Sequence, residues 1–71
     1  MAEVKSPMAG TIFELIAAVG DDVEEGDELV ILESMKMEIP VEAPLAGSVS
    51  EIHIAQGDQV QEGDTLVTIA E

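Results

Sequence analysis

One lysine is the residue best suited by its type and surroundings to covalent chemistry. Lys36 is one of only two lysines in the chain, and it lies between Met35 and Met37, with Glu33 and Glu38 beyond them. An ordinary lysine amine is protonated near neutral pH, so its acylation requires an external enzyme that deprotonates and orients it. The flanking methionines offer flexible, polarisable apolar surface that such an enzyme could bury. The pattern therefore predicts that Lys36 is a substrate for modification.

This lysine is predicted to lie at the tip of a β-hairpin. A two-residue turn at Met35 and Lys36 pairs Glu33 with Glu38, which places two like charges opposite each other. Such a turn requires positive φ angles, which Asn-Gly adopts more easily than Met-Lys. A single exposed lysine is otherwise an ordinary solvated charge or a residue that prevents edge pairing. Here the tip breaks local rules at some cost in stability, which favours a functional role.

The rest of the chain offers no catalytic constellation. It has no Cys and a single His, His53, and neither Ser6 nor Ser34 lies in a Gly-x-Ser-x-Gly motif. The glycine-rich segment 20–26 lacks the Gly-Lys-Ser/Thr of a phosphate-binding loop, and the acids of segment 21–27 lack the spacing of a calcium loop. We therefore expect a non-enzyme with no metal site, with these acids on a solvated face and His53 on a strand facing outward.

Length and charge limit the fold and the partners. A chain of 71 residues can hold one domain, residues 1–71, and without cysteines its stability must come from aliphatic packing, with Phe13 as the sole aromatic. The net charge of −14 excludes nucleic acid as a partner and disfavours anionic membrane surfaces. The N-terminal residues lack the apolar segment of a signal peptide, so we expect a cytoplasmic protein. It is expected to be monomeric in isolation.

An internal repeat predicts the elements that position the lysine. Shifted by 37 residues, segment 4–33 aligns without gaps with segment 41–70, with identity at 14 of 30 positions. All six glycines fall into three matched pairs, and because glycine marks special backbone conformations, matched glycines indicate matched turns. Two such repeats predict a pseudo-twofold domain. The hairpin that joins them then carries Lys36 at one end, and both termini lie together at the other.

The spacing of apolar residues predicts strands throughout. Short alternating, β-branched segments are interrupted by Gly or Pro about every ten residues, which favours an all-β barrel or sandwich. We predict strands near 2–5, 10–17, 29–34, 37–42, 47–55 and 66–70. Very short strands are expected around Val23 and Val60, giving four strands in each half.

The central segment also carries a family resemblance. Residues 33–38, Glu-Ser-Met-Lys-Met-Glu, closely resemble the Glu-Ala-Met-Lys-Met-Glu signature of biotinyl domains, the biotin carboxyl carrier modules of biotin-dependent carboxylases. Segments 6–10, 20–27, 43–47 and 57–64 resemble the family's flanking pattern, so the resemblance covers essentially the whole chain. It implies a flattened β-barrel of two four-stranded antiparallel sheets with quasi-twofold symmetry and the modified lysine on a hairpin tip.

The resemblance further implies a cofactor and partners. Lys36 would carry covalent biotin, attached by a biotin protein ligase that uses ATP and recognises Met35 and Met37, with Glu33 and Glu38 flanking the site. Carboxybiotin would then move on a swinging arm between a biotin carboxylase and a carboxyltransferase, for example those of an acyl-CoA carboxylase. The domain would catalyse neither step and would contribute proximity.

Three departures and two alternatives accompany this interpretation. Ser34 stands where the family most often has Ala, no Ala/Pro-rich linker precedes the first strand, and segment 17–19 is too short for the thumb of some bacterial biotinyl domains. The chain would then be either a free-standing carrier or a domain excised from a longer protein. A lipoyl domain shares the fold but usually presents Asp-Lys-Ala at its tip, so the methionines favour biotin. The other alternative is an interaction module whose lysine is never acylated.

Overall fold

The computed structural model describes residues 1–71, which form eight strands and no helix. The strands are β1 (Ala2–Lys5), β2 (Gly10–Leu15), β3 (Asp22–Val23), β4 (Glu28–Ser34), β5 (Met37–Glu42), β6 (Gly47–Ile52), β7 (Gln59–Val60) and β8 (Thr65–Ala70). The prediction of an all-β chain with two very short strands is confirmed. The structure contains no helix long and apolar enough to span a membrane.

Two strands end earlier than predicted, at Leu15 and Ile52 rather than at residues 17 and 55. After Leu15, the N–H groups of Ile16 and Ala17 both donate to the carbonyl of Leu29, each at 3.0 Å, so the regular ladder cannot continue. In the second half the N–H of His53 donates to Leu66 in the same way, at 2.9 Å. The prediction that His53 is a strand residue is therefore wrong, although its side chain is exposed as expected.

The strands form two four-stranded antiparallel sheets, in the orders β1-β8-β6-β3 and β5-β4-β2-β7. Each sheet takes two strands from each half of the chain. Replacing each strand by its equivalent 37 residues away in the other half converts the first strand order into the second. The repeat therefore corresponds to a pseudo-twofold axis that exchanges the two sheets. This architecture confirms the predicted fold class.

The core lies between the two sheets and is aliphatic. Fourteen buried apolar residues form one cluster, and its members Ile12 and Leu32 come from one sheet while Val49 and Ile69 come from the other. Each fully buried aliphatic side chain of this kind contributes about 1.5–3 kcal/mol. The sole aromatic residue does not take part, because Phe13 is 45% exposed on the outer side of its sheet.

Four equivalent turns connect the short strands, and each is closed by a Gly-Asp pair. The glycines have φ between 89° and 96°, a region that L side chains rarely adopt. In each turn the aspartate carboxylate accepts the N–H of the residue three positions earlier, at 2.8 or 2.9 Å, and its own N–H donates back to that residue's carbonyl. The four aspartates are Asp21, Asp27, Asp58 and Asp64. Two acids that we expected on a merely solvated face therefore have structural roles.

The chain termini lie together, as the repeat predicts. The N-terminal amine lies 3.7 Å from the carboxylate of Glu71, and Ala2 pairs with Ile69. Gly10, the first residue of β2, lies beside the end of β4 that leads into the hairpin turn. Gly10 also pairs with Val60 of β7, and a turn connects β7 to the start of β8. Strand β8 therefore runs from the hairpin end to the terminal end of a molecule that measures 33 × 18 × 17 Å.

Candidate functional site

The hairpin between β4 and β5 has the predicted register. Ser34 pairs with Met37 and Glu33 with Glu38, which leaves Met35 and Lys36 as a two-residue turn. Their φ angles are 54° and 65°, and they are the only non-glycine residues with positive φ. Both turn residues therefore adopt the left-handed conformation, which costs an L residue on the order of 1–2 kcal/mol. This strain lies at the lysine singled out by the sequence.

The side chains of the turn project into solvent. Met35 is 87% exposed and Met37 is 57% exposed, and Lys36 between them is exposed as well. The structure contains two ion pairs, the terminal pair and that of Lys5 with Glu3, so the Lys36 ammonium group belongs to neither. Lys36 thus presents an accessible and unpaired amine at the end of the hairpin, an arrangement suited to covalent modification.

A close backbone contact holds the hairpin against the neighbouring strand. A Cβ atom at Gly10 would lie 2.8 Å from the carbonyl oxygen of Glu33 and 3.5 Å from the Cβ of Ser34. Only glycine at the start of β2 allows this approach without a local shift. Ser34 is itself half-buried at this contact.

A shallow groove of about 320 Å³ runs beside the turn. Its lining combines the start of β2, the end of β4 with the first turn residue, and β7 with the residue after it. The lining residues are Ala9, Gly10, Thr11, Glu33, Ser34, Met35, Gln59, Val60 and Gln61. Met35 borders this groove, so a partner that covers the methionine also contacts the groove.

The tip is acidic apart from its lysine. The carboxylates of Glu33 and Glu38 are exposed on paired residues of β4 and β5, one pair back from the turn. Their mutual repulsion is screened by solvent and weakens the hairpin only modestly.

Other chemically capable side chains are engaged in structural contacts. His53 Nε2 lies 2.8 Å from Oγ1 of Thr68, a residue of the sheet that does not carry the Lys36 hairpin. Ser6 is 3% exposed, and its hydroxyl donates to the carbonyl of Met8 at 2.6 Å. No three acidic or histidine side chains converge in a geometry suited to a metal ion. Lys36, by contrast, takes part in neither ion pair.

Comparison with known proteins identifies the family of this chain. The chain matches the family described as "Biotin-requiring enzyme" over residues 2–69. It is 52% identical over 42 residues to the "Biotinylated protein TB7.3 homolog" of Mycolicibacterium smegmatis, a match that covers 58% of this chain and 59% of that protein. It is 50% identical over 38 residues to the "Biotin/lipoyl attachment protein" of Bacillus subtilis, covering 54% of this chain and 52% of that protein.

The fold is shared with a much larger enzyme. The structure of the Kluyveromyces lactis urea carboxylase superposes on 97% of this chain with a TM-score of 0.92 and 39% sequence identity, although this chain covers only 6% of that one. Biotin carrier domains are thus parts of multi-component carboxylases. The match over nearly all residues and the common fold show that this chain belongs to the family of biotin-requiring enzymes, as a biotin carboxyl carrier domain whose cofactor is covalently attached biotin.

Proposed function

We propose that Lys36 is the biotin attachment site and that the domain carries a carboxyl group between a biotin carboxylase and a carboxyltransferase. The observation that carries this proposal is the turn itself. Lys36 is exposed, free of ion pairs and held in a left-handed conformation at the end of a hairpin. Strain that brings no local benefit supports a functional role for these residues.

The neighbouring methionines are proposed as the contact surface for a biotin protein ligase. Met35 and Met37 are among the most exposed large apolar side chains of the chain, at 87% and 57%. Burial of such flexible side chains against a partner is favourable, and it would bring the amine between them to the partner's active site. Glu33 and Glu38 flank this surface and would select for a ligase with cationic groups nearby.

In the completed carrier, biotin supplies the nitrogen on which the carboxyl group travels. The chain contributes position rather than catalysis. The β4–β5 hairpin is paired along its length, so motion of the attachment point is confined to the lysine side chain beyond a rigid turn. Tethering raises the effective concentration of the carried group at the partner active sites, which replaces diffusion through bulk solvent.

We propose three further properties on physical grounds. The domain itself is no enzyme, because its histidine and buried serine are engaged in structural hydrogen bonds. It is monomeric in isolation, because a net charge of −14 on each copy opposes self-association. It is cytoplasmic, since its modification needs a ligase supplied with ATP.

The attachment site can be tested directly because the chain has only two lysines. The protein is incubated with a biotin protein ligase, ATP and biotin, and its intact mass is measured. We expect the wild type and Lys5→Ala to gain one biotinyl group, and Lys36→Ala to gain none. Lys5 is the matched control because it is also exposed but lies outside the turn.

Two outcomes would reject the proposal. A wild-type chain that gains no mass would favour an interaction module without acylation. A gain seen only with a lipoate ligase and lipoate would instead identify a lipoyl carrier.

A further inference from the structure

The outer face of the sheet that carries the hairpin has an apolar patch. Its four members are Phe13, Ile16, Ile31 and Pro40, which we call the outer patch. Ile31 pairs with Pro40 on one side and with Glu14 on the other, and Phe13 is the additional residue of the bulge before Glu14. None of the four belongs to the core or to the residues packed against it. Phe13 and Ile16 are each 45% exposed.

The internal repeat provides a control for whether the fold needs these apolar residues. The equivalent positions in the other sheet are all polar: Ser50, His53, Thr68 and Glu3. Ser50 Oγ donates to the Thr68 carbonyl at 3.1 Å, and His53 Nε2 lies 2.8 Å from Thr68 Oγ1. The same backbone positions are therefore occupied by a hydrogen-bonded polar set in one sheet and by exposed apolar side chains in the other.

The two halves also differ in how deeply they bury the position of Ile31 and its equivalent Thr68. Thr68 is only 6% exposed beneath its polar neighbours, whereas the larger and more apolar Ile31 is only half-buried. The fold thus covers a threonine better than an isoleucine at equivalent positions. Scattered apolar residues on a surface are ordinary, but a contiguous patch of this kind is typical of an interaction site.

Acidic residues surround the outer patch and define the chemistry of what binds there. Five exposed glutamates lie on strands β2, β4 and β5 of this sheet: Glu14, Glu28, Glu33, Glu38 and Glu42. Of their equivalents in the other half, Glu51 alone is acidic, and the others are Thr65, Ala70, Met1 and Lys5. The acidic rim therefore accompanies the apolar patch and is not a general consequence of the net charge.

We infer that the outer patch docks a protein domain of the carboxylase that presents an apolar centre ringed by lysine or arginine. A second copy of this chain would bring two acidic rims together, which like-charge repulsion opposes. Ile31 lies three residues before the end of β4 at Ser34, roughly 10 Å at about 3.3 Å per residue, and the turn with Lys36 lies beyond that end. A domain seated on the outer patch therefore leaves the turn free to enter an active site. This inference rests on the proposed carrier function.

The test uses the unmodified chain, so that docking and biotinylation are measured separately. The ¹⁵N-labelled protein is titrated with a biotin carboxylase and, separately, with a carboxyltransferase, and Kd is obtained from amide shifts. The double variant Phe13→Ser with Ile16→His carries the residues found at Ser50 and His53, which this backbone already accommodates. We expect its Kd for at least one of the two components to rise about tenfold, as for loss of a buried aromatic anchor.

A matched control comes from another exposed apolar residue. Val19 is 63% exposed, lies in the loop after β2 outside the outer patch, and has Gln56 as its equivalent, so Val19→Gln is expected to leave Kd unchanged. Added NaCl should weaken wild-type binding because it screens the acidic rim. Dispersed amide spectra of all variants establish that they are folded.

Several results would overturn the inference. They are no binding of the wild type to either component, an unchanged Kd in the double variant, or an equal loss in Val19→Gln. A concentration-dependent dimer through this face would make the occupant a second copy. Failure of biotinylation alone leaves these Kd values measurable and counts only against the proposed function.

Discussion

The strained turn predicts that the chain is less stable than its fold allows. Replacing Met35 by Asn and Lys36 by Gly gives the dipeptide that two-residue hairpins with positive φ favour. The two residues have φ of 54° and 65°, and each left-handed L residue costs on the order of 1–2 kcal/mol. The added freedom of a glycine in the unfolded chain offsets about 0.4–1 kcal/mol of this gain. We therefore expect a net stabilisation of about 1–3.5 kcal/mol.

Thermal and urea unfolding followed by circular dichroism measure this gain. For a domain of this size, each kcal/mol raises the Tm by about 4–8 °C. Met35→Asn alone retains the lysine and should give about half of the gain, together with slower modification by a biotin ligase because an apolar contact is lost. The matched control is Met37→Asn, which makes the same substitution on β5 outside the turn and should give no stabilisation.

The reasoning is refuted if the double variant is no more stable than the wild type. It is also refuted if Met37→Asn stabilises the protein as much as Met35→Asn, because the gain would then come from loss of an exposed methionine. A confirmed gain would show that the attachment site is maintained at a measurable cost in stability, a common relation between function and stability.

Two further predictions concern the contacts that shape the hairpin and the turns. Gly47→Ala places a Cβ 2.5 Å from the Ala70 carbonyl oxygen and should cost about 1–3 kcal/mol in urea unfolding. Gly10→Ala, whose Cβ lies 2.8 Å from the Glu33 carbonyl oxygen, should cost less, and an equal or reversed order would contradict the contact distances. Asp64→Ala removes the acceptor of a turn N–H and should cost about 0.5–1.5 kcal/mol, whereas Asp64→Asn keeps an acceptor oxygen and should recover most of it. Equal losses in both Asp64 variants would assign the effect to charge.

Much of the fold was predictable because the repeat constrains it strongly. Matched glycines require matched turns, so the pseudo-twofold relation of the two halves and the meeting of the termini follow from the repeat. The strained turn at Lys36 was predictable for a different reason, since Met35 and Lys36 violate the ordinary chemistry of a two-residue turn. Such violations are visible in a single sequence.

The strand ends and the outer patch were not predictable in the same way. Strand β2 ends at Leu15 because two consecutive N–H groups share the Leu29 carbonyl, a contact between residues far apart in sequence. Phe13 is the additional residue of a bulge, so alternation along the strand does not determine its direction. An apolar residue in a strand is ordinarily assigned to the core, whereas the exposure of Phe13 and its absence from the core cluster place this one on the outer face.

The duplication allows structural and functional requirements to be separated within one chain. Positions where both halves agree, such as the Gly-Asp turns, are those that the common backbone requires. Where the halves differ, the second half demonstrates an alternative that the same backbone accepts, as His53 does for Ile16 and Thr68 for Ile31. The fold alone therefore does not account for the apolar residues of the outer patch or for the acidic rim around them. Since these differences occur on the sheet that carries Lys36, we attribute them to what that lysine must reach.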